Sequence, residues 1–210
     1  MLGSVSSSPS SGLPGSRSRS EILRARVGEA IAVCEALLGD ESLISAVDAV
    51  TDAIVGSMTG GGKVLLCGNG GSAADAQHLA AELIGRFCLD RQPLPAVALS
   101  DNIAAVTAVG NDYSYSDVFS RAVKGLGKPG DVLIGLSTSG RSANVIEAMR
   151  AGHERGLVTV ALVGAPGSPL EHVSDYALRV PGASTARIQE GQMLVAHTIF
   201  ELVESELCGS

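Results

Sequence analysis

The sequence predicts an α/β protein: a single domain with a five-stranded parallel sheet flanked by helices, and two extra helices ahead of the first strand. Three observations predict it. Five short apolar runs, most of them β-branched, alternate with stretches of helical period. Two of these runs end in loops of small, hydroxyl-bearing residues that lead straight into helices. The chain has 210 residues, enough to bury one good core.

The elements follow in order. Met1 to about Ser20 is rich in Ser, Gly and Pro, which reads as a disordered tail (1–20) before a domain at 21–210. From Glu21 to Leu38 the spacing of Ile22, Leu23, Val27, Ile31, Val33 and Leu37 predicts an amphipathic helix. A second helix is predicted from Ser42 to Met58, stopped by Gly60-Gly61-Gly62. Strands are predicted at Val64–Cys67, Ala96–Ser100, Val132–Leu136, Val158–Val163 and Tyr176–Val180, with helical stretches between them. A last helix is expected from near Ser184 to about Leu207. Such alternation makes a parallel sheet covered on both faces, and ligands of such sheets bind beyond the carboxyl ends of the strands. The two leading helices are not needed to complete the sheet. Packing on their own domain and packing on another subunit are equal readings.

Composition narrows the class. The formal net charge is −7, against a general attraction to nucleic acid or anionic lipid, so an anionic ligand must be held by local donors. Cys34, Cys67, Cys88 and Cys208 are scattered without a CxxC and read as reduced, mostly buried thiols of a cytoplasmic protein. No apolar run is long enough to span a membrane, and the N-terminus lacks the apolar core of a secretory signal.

The two loops are Cys67-Gly68-Asn69-Gly70-Gly71-Ser72-Ala73-Ala74-Asp75 and Leu136-Ser137-Thr138-Ser139-Gly140-Arg141-Ser142. Glycines let backbone approach a ligand, free N–H groups at a helix start point at an anion, and hydroxyls donate as well. Two such loops in one domain predict a site for a phosphorylated small molecule. On the helix after the first loop, His78 and Glu82 are four apart and share a face, a spacing that suits two ligands of one metal or a base with its partner. Arg86 continues that face, as a substrate clamp or as the partner that orients Glu82. On the last helix His197 lies among Leu194, Val195, Ala196, Ile199 and Phe200 and reads first as a hydrogen-bonded core histidine, while His153 and His172 read as surface histidines. The residues alone give a phosphosugar-type site with Glu82 and a histidine as acid–base groups, without naming the reaction.

The blocks CGNGGSAADAQHLAAEL, LSDNIAAVTAVGNDYSYSDVFSR, GDVLIGLSTSGRSANVI and RIQEGQMLVAH, in that order, resemble those of the sugar-isomerase (SIS) domain family, and within it the phosphoheptose isomerases. The resemblance spans about Glu21 to Leu207. It implies a homotetramer that interconverts sedoheptulose 7-phosphate and a D-glycero-D-manno-heptose 7-phosphate. By resemblance Glu82 and His197 are the catalytic pair, and His78, Glu82, Gln189 and His197 are zinc ligands. Ser72, Ser137, Thr138, Ser139 and Ser142 match phosphate contacts, and Asn69 and Asp101 match contacts to the sugar chain. Gly70, Gly71, Arg86, Asn111, Asp112 and Gln189 complete the implied substrate-binding set. Three positions depart from the family pattern: Arg141 where Asn is common, Ala186 where some members carry Asp, and Gln192 in place of a histidine.

Gln189 and His197 are eight residues apart, a rise of about 12 Å on a straight helix with directions roughly 80° apart. That spacing predicts either a bent helix or a site completed by a neighbouring subunit. Rival readings are a non-enzymatic adaptor of the same family that binds the replication initiator, a sugar-phosphate-sensing module of a regulator, and an isomerase for another sugar phosphate. The adaptor has Asn where this chain has His197, and nothing before Glu21 is long enough for a DNA-binding domain.

Overall fold

A computed structural model describes residues 18–164 and 166–209. Most of the expected tail, 1–17, lies outside the described residues. Ser18 caps the first helix, α1 (Arg19–Leu38), through a reciprocal box in which its hydroxyl accepts from the Glu21 amide and the Glu21 carboxylate accepts from its own. The helix therefore starts two residues earlier than the apolar periodicity indicated. Asp40 caps α2 (Glu41–Thr59) by accepting from the amides of Ser42 and Leu43.

Strand and helix then alternate: β1 (Val64–Gly68), α3 (Gly71–Ile84), β2 (Ala96–Ala98), α4 (Ile103–Asp112), a 3₁₀ turn (Tyr115–Asp117), α5 (Val118–Leu126), β3 (Val132–Ser137), α6 (Ala143–Glu154), β4 (Val158–Val163), α7 (Pro169–His172), β5 (Tyr176–Arg179) and α8 (Thr185–Cys208). The sheet is parallel throughout, in the order β2-β1-β3-β4-β5. All five expected strands are present, and β2 is shortened to three residues by the turn that follows it.

The central strands are buried on both faces, which is why they read as unbroken apolar runs rather than alternating ones. Val64, Leu66, Val132, Ile134 and Leu136 face a layer made by α1, α2, α3 and α8. Leu65, Cys67, Leu133, Ala161 and Val163 face the opposite layer, built mainly by α5 and α6. The two leading helices thus pack on their own domain, through Val33, Leu37, Leu43, Val50 and Ile54. They also leave Ile22, Leu23, Val27, Ile31, Leu38 and Ile44 exposed.

The cysteines correct one expectation. All four are free, but only Cys67 is buried, Cys208 is partly covered, and Cys34 and Cys88 are exposed. Burial pushes the Cys67 thiol up to about 12, so the residue that opens the first loop is not a nucleophile at neutral pH. Among the described residues no helix is long and apolar enough to cross a membrane.

Candidate functional site

Strands β1 and β3 are neighbours, but the chain leaves β1 toward β2 on one side and β3 toward β4 on the other. The strand order reverses between them, which opens a crevice beyond their carboxyl ends. Both hydroxyl-rich loops lie there. In the first, Gly70 takes a positive φ of 56° as the N-cap of α3, and no side chain caps that helix. Gly68 comes so close to Ser72 that an added Cβ would sit 2.7 Å from its carbonyl carbon, which forces glycine at this bend. In the second loop Gly140 has φ 62°, and a Cβ there would lie 2.3 Å from Ser168. Its amide donates to the buried Ser137 hydroxyl at 3.1 Å, and the Ser137 and Ser142 hydroxyls are 3.0 Å apart. Ser142 is the N-cap of α6, yet its hydroxyl makes no cap bond. In these first turns the amides of Ser72, Ala73 and Val145 donate back to loop carbonyls, and among the described residues those of Gly71, Ala143 and Asn144 are left as open donors, where most of the other helices are capped by their own side chains.

Beside the crevice, α3 and α8 run side by side. His78 Nε2 is 3.2 Å from His197 Nε2 and 3.3 Å from a Glu82 carboxylate oxygen. The ligand atoms of His78, Glu82 and His197 all lie within 4.8 Å of one another, a donor set of two imidazoles and a carboxylate that can hold a metal ion. The His197 ring lies between two others, stacked on Phe87 (centroids 5.5 Å, 24°) and edge-on to His78 (5.3 Å, 75°).

The chain and its fold have counterparts among known proteins. The family model described as SIS domain matches residues 29–164. Phosphoheptose isomerase of Burkholderia pseudomallei (strain 1710b) is 48% identical over 183 residues, covering 87% of this chain and 93% of the relative. The chain is a member of the phosphoheptose isomerases within the SIS domain family. The solved phosphoheptose isomerase of Neisseria gonorrhoeae superposes with a TM-score of 0.84 at 41% identity, covering 90% of this chain and all of the other. That of Francisella tularensis gives a TM-score of 0.86 at 33% identity with the same coverage.

For a phosphoheptose isomerase site, the structure brings some of the sequence-selected residues together and separates others. Glu82, His78 and His197 meet within one chain, so this trio needs no second subunit. Gln189 is elsewhere: its amide nitrogen donates to Asp75 at 2.6 Å, one turn before His78. It also fills the space a Cβ on Gly71 would need. The pairs Asp75–Gln189 and His78–His197 follow one another along the two helices, three residues apart on α3 and eight on α8.

Asn69 is tied up as well. Its amide exchanges two 2.8 Å hydrogen bonds with the buried Asn144 and accepts a third from the Tyr115 hydroxyl at 3.0 Å, so its side chain braces the first loop against α6. Ser72 and Ser137 are buried, Thr138 is half-buried and Ser139 exposed. Asp101 is exposed after β2, and Asn111 and Asp112 bond to each other at the exposed end of α4. Arg86 is exposed and forms no ion pair with Glu82.

Arg91, which sequence reasoning missed, is the arginine that reaches Glu82, donating at 3.0 Å to its main-chain carbonyl. Of the departures from the family pattern, Arg141 and Ala186 are exposed, and Gln192 is fully buried on α8.

Proposed function

We propose that this chain is an aldose–ketose isomerase that converts sedoheptulose 7-phosphate to D-glycero-D-manno-heptose 7-phosphate through an enediol. The carrying observation is the meeting of Glu82 and His197, from two distant stretches of sequence, beside a crevice lined by uncapped helix starts. A 1,2-isomerisation needs a base at the C1/C2 carbons and an acid at the carbonyl oxygen. Glu82 takes the proton from carbon and His197 serves the oxygen, with the roles exchanged in the reverse direction. The loop hydroxyls of Ser72, Ser137, Thr138, Ser139 and Ser142, together with the first-turn amides of α3 and α6, hold the 7-phosphate and set the distance to the reacting end. Incubating the purified protein with a panel of ketose phosphates and following aldose formation tests the reading. Turnover of sedoheptulose 7-phosphate well above shorter ketose phosphates is expected, and none on the heptulose would overturn it.

His78, Glu82 and His197 fit zinc, which favours imidazole and carboxylate ligands at one tetrahedral site. A zinc ion held there would polarise the carbonyl and hydroxyl oxygens of the sugar, and Glu82 can serve as the base only while its carboxylate does not ligate the ion. After zinc loading and desalting, metal analysis should find about one equivalent per chain, and His78→Ala should lose it. Equal retention by the variant would remove His78 from the ligand set.

The same reading assigns a homotetramer with sites near subunit boundaries, working in the cytoplasm. The support is a groove of about 430 Å³ between α1, α2 and α8, lined by Leu37, Leu38, Leu43, Val47, Leu194 and Leu202. It is continuous with the exposed apolar residues of α1, and Leu194 precedes His197 by one turn. Apolar faces of this kind on leading helices that the sheet does not need suit a second copy. Sedimentation at micromolar protein should give a tetramer that Leu38→Glu with Leu194→Glu dissociates. A monomeric, fully active wild type would refute the assignment.

A further inference from the structure

Glu204 is a carboxylate in the wrong place for a merely apolar packing face. It lies one turn after Phe200 and two after Ala196 on α8, is 1% exposed, and shares its helix face with those two buried residues. A charge buried there is costly unless every lone pair is met. Here they are met. Its oxygens accept from the successive amides of Phe87 (3.0 Å), Cys88 (2.6 Å) and Leu89 (2.8 Å) and from Arg91 Nε (2.9 Å). Burial pushes its pKa up, but the Leu89, Phe87 and Cys88 amides and the Arg91 charge outweigh that and hold it below the usual glutamate value. Arg91, itself nearly buried, spends its remaining donors on the main-chain carbonyls of Leu83 (2.6 Å), Glu82 (3.0 Å) and Gln92 (3.2 Å).

One carboxylate thus fixes segment 87–91 and, through Arg91, the end of α3. Both attachments lead to the acid–base pair. Phe87 at one end of the segment stacks on the His197 ring, and Arg91 at the other holds the peptide carbonyl of Glu82. A loop needing only to be tied down is served as well by apolar packing, which avoids desolvating two charges.

We propose that Glu204 is a positioning residue for the isomerisation: through segment 87–91 it sets the His197 ring and the turn that carries Glu82. This rests on the assignment of Glu82 and His197 as the acid–base pair. Misplacing a reacting group by about 1 Å costs on the order of 100-fold in rate.

The test uses the full chain. Glu204→Gln keeps the shape, removes the charge and turns one acceptor toward an amide as a donor. It is expected to lower kcat by about 10- to 100-fold while KM changes by less than about 2-fold. Should that variant fold poorly, Phe87→Leu leaves the carboxylate, the amides and Arg91 in place and removes only the ring. A kcat loss of about 10-fold at unchanged KM is expected from it, with a melting temperature near wild type. Added to Glu204→Gln, it should cost little more, because both act on the same imidazole.

The imidazole signals of His197, followed by NMR without substrate, give a readout that simple destabilisation does not move. They should shift in both variants, through loss of the Phe87 ring current in one and displacement of the ring in the other. Wild-type kcat and unshifted His197 signals in Glu204→Gln would overturn the proposal, even with a lowered melting temperature. The acid–base reading fails separately, if Glu82→Gln and His197→Asn themselves keep turnover.

Discussion

Replacing Glu82 by Gln, or His197 by Asn, is expected to lower kcat on sedoheptulose 7-phosphate by about 10²- to 10⁴-fold, the usual contribution of positioned proton transfer. Glu82→Gln keeps volume and His197→Asn keeps a polar side chain without the ring; each removes the proton transfer together with one donor of the candidate metal set. Neither side chain belongs to the packed core: Glu82 and His197 lie at the margin of α3 and α8, where neighbouring positions such as Leu79, Leu83, Ile199 and Phe200 bury the apolar faces. The melting temperature of each variant should therefore stay close to that of the wild type, which separates lost chemistry from lost fold. Exchange of substrate carbon-bound hydrogen with solvent deuterium, which reports the enediol step alone, should fall with kcat in Glu82→Gln. Near-normal turnover by either variant would remove that residue from the role given to it.

The sheet was legible in the sequence because its central strands are buried on both faces. Val158–Val163 has no polar face to blur it, and its limits are met residue for residue. The loops at the switch point were legible through glycine and hydroxyl content, since few backbones besides those of phosphate sites need both. What periodicity did not show is where a polar side chain is already occupied. Asn69 and Gln189 carry the right chemistry for a sugar, but Asn144 and Asp75, 75 and 114 residues away, hold their amides. Contacts at that separation leave no mark on local pattern. The one signal that was available and unused is Glu204. An acidic residue four positions after Phe200, in the apolar stripe of α8, marks a buried charge and so a partner elsewhere in the chain. Arg86 drew the attention that belonged to Arg91, because helical spacing extends the His78–Glu82 face to Arg86, while α3 ends at Ile84 and the chain turns away before reaching it.

Removing the phosphate from the substrate is expected to be as damaging as removing the base. Sedoheptulose itself should react with kcat/KM lower by at least about 10³-fold, since each hydrogen bond to a charged group contributes about 1.5–3 kcal/mol and the proposed phosphate site would supply several. Part of the loss should fall on kcat, because binding energy at the far end of the sugar holds C1 and C2 against Glu82 and His197. The protein side of the same contact is tested by Gly140→Ala. A Cβ at that residue meets Ser168 at 2.3 Å, and φ 62° disfavours any side chain, so the loop must shift and the Ser137 hydroxyl loses its amide partner. Turnover of the phosphorylated sugar should fall in this variant, while the small residual rate on sedoheptulose stays as it was. That contrast is the discriminating result. If the loop carries the phosphate, its distortion harms only a substrate that has one. An equal loss on both sugars would mean that the loop shapes the reacting end of the site, and an anion seen by crystallography only outside the crevice would end the phosphate assignment altogether.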